Sequence, residues 1–217
     1  MTAQLPDGNV PWLHDVGRWI SRVPLRSCYR YRVHHADRVP LEGPVVIVAN
    51  HSSMVDGPLL LGTFRRRVAF WIKQEMFKGL AGKGLRAMGQ IPVRRGEPDR
   101  TPLITGQQVL RAGGVVGVFP EGTRGAGDVS QAQQGAAWLA RSTGALVVPV
   151  ACRGTRRPEG SGRRFRPVVD VLVGEPFALP PDKGRQALVD ATERVRDRLA
   201  TLVAELDSQR SVSGEAR

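Results

Sequence analysis

Short β-branched runs alternate along the chain with longer stretches in which apolar residues recur every three or four positions. VVIVA (45–49), VAFWI (68–72), QIPV (90–93), VVGVF (115–119), ALVVPVA (145–151) and PVVDVLVG (167–174) read as strands. Between them, the stretch from Asp56 to Phe64 and residues 75–88, 99–112 and 131–143 read as helices, the second weakened by its glycines. Towards the end, Leu188, Ala191, Val195, Leu199, Leu202 and Leu206 mark a long amphipathic helix with its apolar stripe turned to a core. Runs that are apolar on every residue suit strands buried on both sides. The order therefore predicts an α/β domain with a largely parallel central sheet, covered by helices on both faces. Pro149 has no N–H for a ladder, so it predicts that its strand lies at an edge or ends nearby.

The two ends of the chain have their own patterns. In residues 10–32, Trp12, Leu13, Val16, Trp19, Ile20 and Val23 share one helical face, with Arg18, Arg22, Arg26, Arg30 and Arg32 around it. Tryptophan beside arginine suits the lipid headgroup region; the other reading is a helix packed on the domain with its arginines in water. Pro24 ends or kinks that helix in either case. The arrangement divides the chain into an N-terminal amphipathic segment (1–32) for membrane association, a folded domain (33–206) and a tail (207–217). The tail has no apolar anchor and is expected to be disordered. Residues 153–166, rich in Arg, Gly and Pro, read as a mobile basic loop.

Charge narrows the partners. Across 217 residues, 32 Lys+Arg against 20 Asp+Glu give +12, and nearly all the excess is arginine, since the lysines are Lys73, Lys78, Lys83 and Lys183. Such a field favours an anionic partner: nucleic acid, anionic lipid or a phosphorylated substrate. Cys28 and Cys152 are too few and too far apart for a disulfide framework or a metal cluster, which points to a reducing cytosolic compartment. No signal peptide is visible, and no run approaches the roughly 18 apolar residues that span a bilayer.

Candidate chemistry follows the first strand of this series, in Asn50-His51-Ser52-Ser53-Met54-Val55-Asp56-Gly57. A tight turn there brings the Asp56 carboxylate to one ring nitrogen of His51 and leaves the other facing a cleft, an arrangement for a general base. Taken alone, the same spacing also suits an aspartate that caps a helix. Phe119-Pro120-Glu121-Gly122-Thr123-Arg124-Gly125 also follows a strand. Its glycines let the backbone approach an anion, and Arg124 offers a fork to phosphate oxygens. Ligands in such sheets sit at the carboxyl ends of strands, where the two elements would meet. Gly89-Gln90-Ile91-Pro92-Val93-Arg94-Arg95 and Val147-Val148-Pro149-Val150 complete the set.

In this order and spacing, the four segments resemble the four sequence blocks of the glycerolipid acyltransferase family, most of all the bacterial 1-acylglycerol-3-phosphate acyltransferases. His51-x4-Asp56 matches the first block, Gly89-x-Ile91-x-Val93-x-Arg95 the second, Phe119 to Arg124 the third and Val147 to Val150 the fourth. Lys73-Gln74-Glu75-Met76-Phe77 resembles a segment that members often carry between the first two, and the likeness runs from about residue 30 to 175. It implies that His51 deprotonates the acceptor hydroxyl, that Asp56 orients His51, and that Arg95, Glu121, Gly122, Thr123 and Arg124 hold a glycerol phosphate. Pro149 would shape the site. The implied donor is acyl-CoA or acyl-carrier protein, with no other cofactor, no metal and no covalent enzyme intermediate. The implied acceptor is 1-acylglycerol 3-phosphate, which would give phosphatidic acid on the inner face of the cell membrane; glycerol 3-phosphate or another lysolipid is the alternative. Two departures concern that acceptor. Gln133-Gln134 stand where members often have a pair of lysines, and Arg94 stands at an often acidic or neutral position.

Three other features read more plainly. His34-His35 lack a carboxylate or cysteine at metal-ligand spacing and read as solvated; His14 is a lone histidine in an amphipathic stretch. Ser52 and Ser53 lack a G-x-S-x-G elbow and read as turn or capping residues. A rival reading is a nucleic-acid-binding protein, on the strength of +12 and the 153–166 loop. Aromatics at 6%, with Trp12 and Trp19 better suited to a lipid interface, argue against specific nucleic acid. A lipid-binding relative without catalysis is a third reading, set against the intact His51/Asp56 pair.

Overall fold

A computed structural model describes residues 5–23, 27–94, 99–120, 126–156, 165–182 and 184–213, with the side chains of 126–133 excepted. Its strands are β1 (Arg30–His34), β2 (Val45–Ala49), β3 (Val68–Lys73), β4 (Ile91–Val93), β5 (Val115–Val118), β6 (Leu146–Arg153) and β7 (Val168–Val173). Its α-helices are α1 (Pro11–Arg22), α2 (Asp56–Thr63), α3 (Gly79–Ala87), α4 (Thr101–Arg111), α5 (Ala126–Thr143) and α6 (Arg185–Val212). The strands form one sheet in the order β1-β7-β6-β2-β5-β3-β4. Every neighbouring pair is parallel except β6 with β7. This is the α/β architecture read from the sequence.

The continuous apolar runs have the expected cause. Along β2, Val46 and Val48 pack with Val109 and Leu110 of α4, Leu139 of α5 and Val195 of α6, while Val45, Ile47 and Ala49 pack with Leu59 and Leu60 of α2. Each face of the sheet thus meets its own helices, so neither face needs polar positions. Full burial of each Val or Leu is worth about 1.5–3 kcal/mol, and the central strands carry most of that gain.

Three expectations need correction. The sequence reading left out β1, because its residues Arg-Tyr-Arg-Val-His belong to a half-exposed edge strand with no apolar run. Arg32 of β1 makes two hydrogen bonds to the buried Asp170 of β7, at 2.7 and 3.2 Å, and a residue in such a pair looks like surface in the sequence. β1 therefore takes residues 30–32 out of the N-terminal segment and into the sheet. Pro149 is on an interior strand and not at an edge. On its β7 side the regular ladder stops at Val150↔Val173 and resumes only as the bridge Val147↔Phe177, so no donor is needed at residue 149. Finally, 207–212 are helical. α6 continues past Leu206 because Asp207 takes Arg153 at 2.7 and 2.9 Å and Arg210 pairs with Asp170.

α1 packs on the domain, as one of the two readings had it, but with its polar face inward and Arg18 drawn in with it. Its inner face is polar and small: His14 and Ser21 are buried, and a Cβ on Gly17 would lie 2.5 Å from Met88 Sδ. His14 Nε2 lies 3.2 Å from the Val68 carbonyl, Arg18 donates to the carbonyls of Phe64 and Arg65, and Asp15 pairs with Arg67. The apolar stripe faces outward, with Trp12 63% and Trp19 61% exposed beside Val16, Ile20 and Val23. No described helix is long and apolar enough to cross a membrane.

Candidate active site

The adjacent strands β6, β2 and β5 run parallel, so their carboxyl ends open on one rim of the sheet. After Ala49 the chain leaves β2, makes the turn that carries His51 and enters α2 at Asp56. The turn closes on the Asp56 side chain: the backbone N–H groups of Ser52 and Ser53 donate to Oδ2 at 2.7 and 2.8 Å. This is the turn role expected of the two serines, made by their main chain. Asp56 also sits in the first turn of α2, where the helix dipole favours an anion. Nδ1 of His51 lies 3.2 Å from the same Oδ2, within ion-pair range but off the line of a straight N–H···O bond.

Asp56 is 0% exposed. Burial pushes its carboxyl towards the neutral form. The His51 and Thr155 side chains beside it, with the N–H groups of Ser53 and Ser52, outweigh that and hold it below the usual carboxylate value. The result is a buried anion aimed at one histidine nitrogen. With Nδ1 given to Asp56, Nε2 is the nitrogen left for a substrate, and the His51 side chain keeps 24% of its surface open.

An aromatic column fixes the ring from the other side. The Phe119 ring lies 4.6 Å from that of His51, tilted by 36°, and stacks on Phe70 at 5.4 Å. Phe70 has room because residue 117 of β5 is glycine; a Cβ there would lie 2.3 Å from its ring. Phe119 itself thus reaches His51 through packing. From β6 comes a polar contact. Asn50 Nδ2 donates to the Cys152 carbonyl at 2.9 Å, the Cys152 N–H donates to Asn50 Oδ1 at 2.7 Å, and Cys152 Sγ lies 3.8 Å from Asp56 Oδ1. Burial and the neighbouring carboxylate push the Cys152 thiol far up, so it is a proton donor and no nucleophile. Cys28 and Cys152 are both free thiols.

Over residues 30–153, more than half its length, the sequence matches the family model described as Acyltransferase. The chain belongs to the acyltransferase family. It is 30% identical over 184 residues to a 1-acyl-sn-glycerol-3-phosphate acyltransferase of Bacillus subtilis, covering 81% of this chain and 89% of that one. It is 25% identical to an enzyme of the same name from Pseudomonas aeruginosa, covering 87% and 74%. Its fold matches the crystal structure of the 1-acyl-sn-glycerophosphate (LPA) acyltransferase from Thermotoga maritima with a TM-score of 0.65 and 25% identity, over 90% of this chain and 78% of that one. The protein is an O-acyltransferase of the 1-acylglycerol-3-phosphate acyltransferase kind, and its chemistry belongs to phospholipid biosynthesis.

Among the acyltransferase residues named from the sequence, His51 and Asp56 come together as described. Pro149 is in β6, paired with Val48 of β2 and receiving the Gly174 N–H at its carbonyl. Arg95, Glu121, Gly122, Thr123 and Arg124 lie outside the described residues, as does most of the basic 153–166 stretch. Arg94, at the end of β4, is exposed. Asn50, Cys152, Phe70 and the ring of Phe119 were not read as parts of the site. The available signals were an amide at the end of an apolar strand and a lone cysteine inside another.

Proposed function

We propose that this acyltransferase moves a fatty acyl group from acyl-CoA or acyl-carrier protein to the free hydroxyl of a 1-acylglycerol 3-phosphate, giving phosphatidic acid. The observation that carries the reading is the His51/Asp56 pair: a buried, anionic Asp56 on Nδ1, with Nε2 open at the strand ends. His51 Nε2 takes the hydroxyl proton as the oxygen attacks the thioester carbonyl. The tetrahedral adduct then collapses, the C–S bond breaks, and the departing thiolate receives the proton from the imidazolium. The thioester is already activated, so positioning and this one proton relay are what the chain must supply.

Arg95, Glu121, Gly122, Thr123 and Arg124 are the proposed holders of the glycerol phosphate. The sequence itself supports this: one residue separates Arg95 from the end of β4, and two separate Glu121 from the end of β5. The names of the similar bacterial enzymes support the acceptor. The outward face of α1 is proposed to rest on the anionic inner face of the cell membrane, where lysolipid acceptors reside, and no specific nucleic acid is expected.

The test is mass spectrometry of products from purified protein given a mixture of lysolipids, glycerol 3-phosphate and acyl donors. Phosphatidic acid should dominate. Acylation of glycerol 3-phosphate or of another lysolipid in its place would move the acceptor, and strong DNA binding without vesicle binding would count against the lipid reading.

A further inference from the structure

We propose that Asn50 and Cys152 are positioning residues that clasp the His51/Asp56 pair to strand β6 and set the geometry between base and carboxylate. The proposal rests on His51 being the general base.

β2 and β6 pair in regular parallel register as far as Ala49↔Val150. Beyond that point β2 must leave the sheet to form the His51 turn, and its backbone can no longer pair. The Asn50 side chain takes over, bonding both the carbonyl and the N–H of Cys152 while 1% exposed. A primary amide has the donor and the acceptor that a peptide group needs; aspartate would offer only acceptors, and leucine neither. The residue immediately after this fixed point is His51.

The same Cys152 reaches the other half of the pair. Its thiol contacts Asp56 Oδ1, while Ser52, Ser53 and His51 all approach Oδ2. Donors on both oxygens fix the plane of the carboxylate as well as its position. One residue of β6 therefore holds the chain before His51 with its backbone and the carboxylate behind His51 with its side chain. Since Nδ1 already approaches Oδ2 off-line, the pair depends on what holds it.

A clasp of this kind acts on turnover more than on substrate binding. Asn50→Leu, which removes both amide bonds, is expected to lower kcat about 10–100-fold, the range for an ångström-scale displacement of a catalytic group, while KM for donor and acceptor stays within about threefold. Cys152→Ala is expected to lower kcat less, and Cys152→Ser, which restores a donor, to recover most of the loss. A second readout is independent of activity. The protein has only four histidines, so the His51 imidazole resonances can be assigned by comparison with His51→Ala, and its Nδ1 signal should move in Asn50→Leu and Cys152→Ala.

Wild-type kcat in both of those variants, an unmoved His51 signal, or a loss explained by a collapsed melting temperature with kcat and KM changing together would overturn the clasp. If Asn50→Leu does not fold, the Cys152→Ala and Cys152→Ser pair decides alone. The underlying reading fails separately: an active His51→Ala enzyme removes the base, whereas an inactive one beside unimpaired Asn50→Leu and Cys152→Ala removes only the clasp.

Discussion

At His51 the deciding question is which ring nitrogen its surroundings leave uncommitted. Asp56 occupies Nδ1 and Phe119 lies against the ring, so a proton can be exchanged with substrate only at Nε2. Replacing His51 by Ala is expected to lower kcat by about 10²–10⁴ with little change in folding, the usual range for a lost general base. Product formation above a few per cent of wild type would remove that role. Asp56→Asn leaves the shape and loses the anion, and kcat should fall over a similar range. It also has a pH signature. The folded-state pKa of Asp56 lies below its ordinary value, so its contribution to stability is complete above that value and is lost as pH falls through the lowered one. Urea titrations should therefore show the stability gap between wild type and Asp56→Asn narrowing below about pH 4. A gap independent of pH would mean that the charge of Asp56 is not what stabilises the turn. The His51/Asp56 pair was readable in the sequence because both members sit within one turn. Asn50 and Cys152 were not, because their contact joins positions 102 residues apart and exists only once β2 and β6 are neighbours.

Among the elements, α1 shows how a correct periodicity can leave orientation open. The sequence marks its apolar stripe, and in most surface helices that stripe faces the core. Here the core-facing side is made by His14, Gly17 and Ser21, small or polar groups that let the helix sit close to α2 and α3. Gly62 of α2 is one such contact, since a Cβ there would lie 3.0 Å from the backbone of Ser21 and Arg22. Gly62→Val is expected to destabilise by about 1–3 kcal/mol through overpacking, read in a denaturant melt. His14 gives the same interface a pH dependence. Burial lowers its folded-state pKa, opposed by the Val68 carbonyl and Asp15 and reinforced by Arg18 and Arg67. Between the ordinary value of 6.5 and the lowered one, the unfolded chain binds the proton more readily, so stability falls as pH drops through that window. The melting temperature of His14→Gln should change less between pH 7.5 and 5.5 than that of wild type; an equal change would place the titration elsewhere. β1, Pro149 and the end of α6 were illegible for a related reason. Each is explained by a partner distant in sequence, namely Asp170, the interrupted β7 ladder and Arg153.

For the whole molecule, the question is how a chain with no described membrane-crossing helix would reach the proposed lysolipid acceptor in a bilayer. Net charge of +12 supplies long-range attraction to an anionic bilayer, but that attraction is screened beyond about 8 Å at physiological salt and does not orient the protein. Orientation needs a short-range apolar contact, and the outward face of α1 offers one in Trp12, Val16, Trp19, Ile20 and Val23. Fully burying one large apolar side chain is worth about 1.5–3 kcal/mol, so two half-exposed tryptophans passing into the headgroup region should contribute roughly 2–3 kcal/mol together. Trp12→Ala combined with Trp19→Ala is accordingly expected to weaken sedimentation with phosphatidylglycerol vesicles about 30–150-fold. High salt should weaken what binding remains. The same variant should acylate a short-chain acceptor dispersed in water at the wild-type rate, because α1 packs on the domain through its other face and the His51 turn is untouched. Undiminished vesicle binding would assign these tryptophans some other partner. Equal loss on the dispersed and the bilayer-held acceptor would show instead that they support the fold.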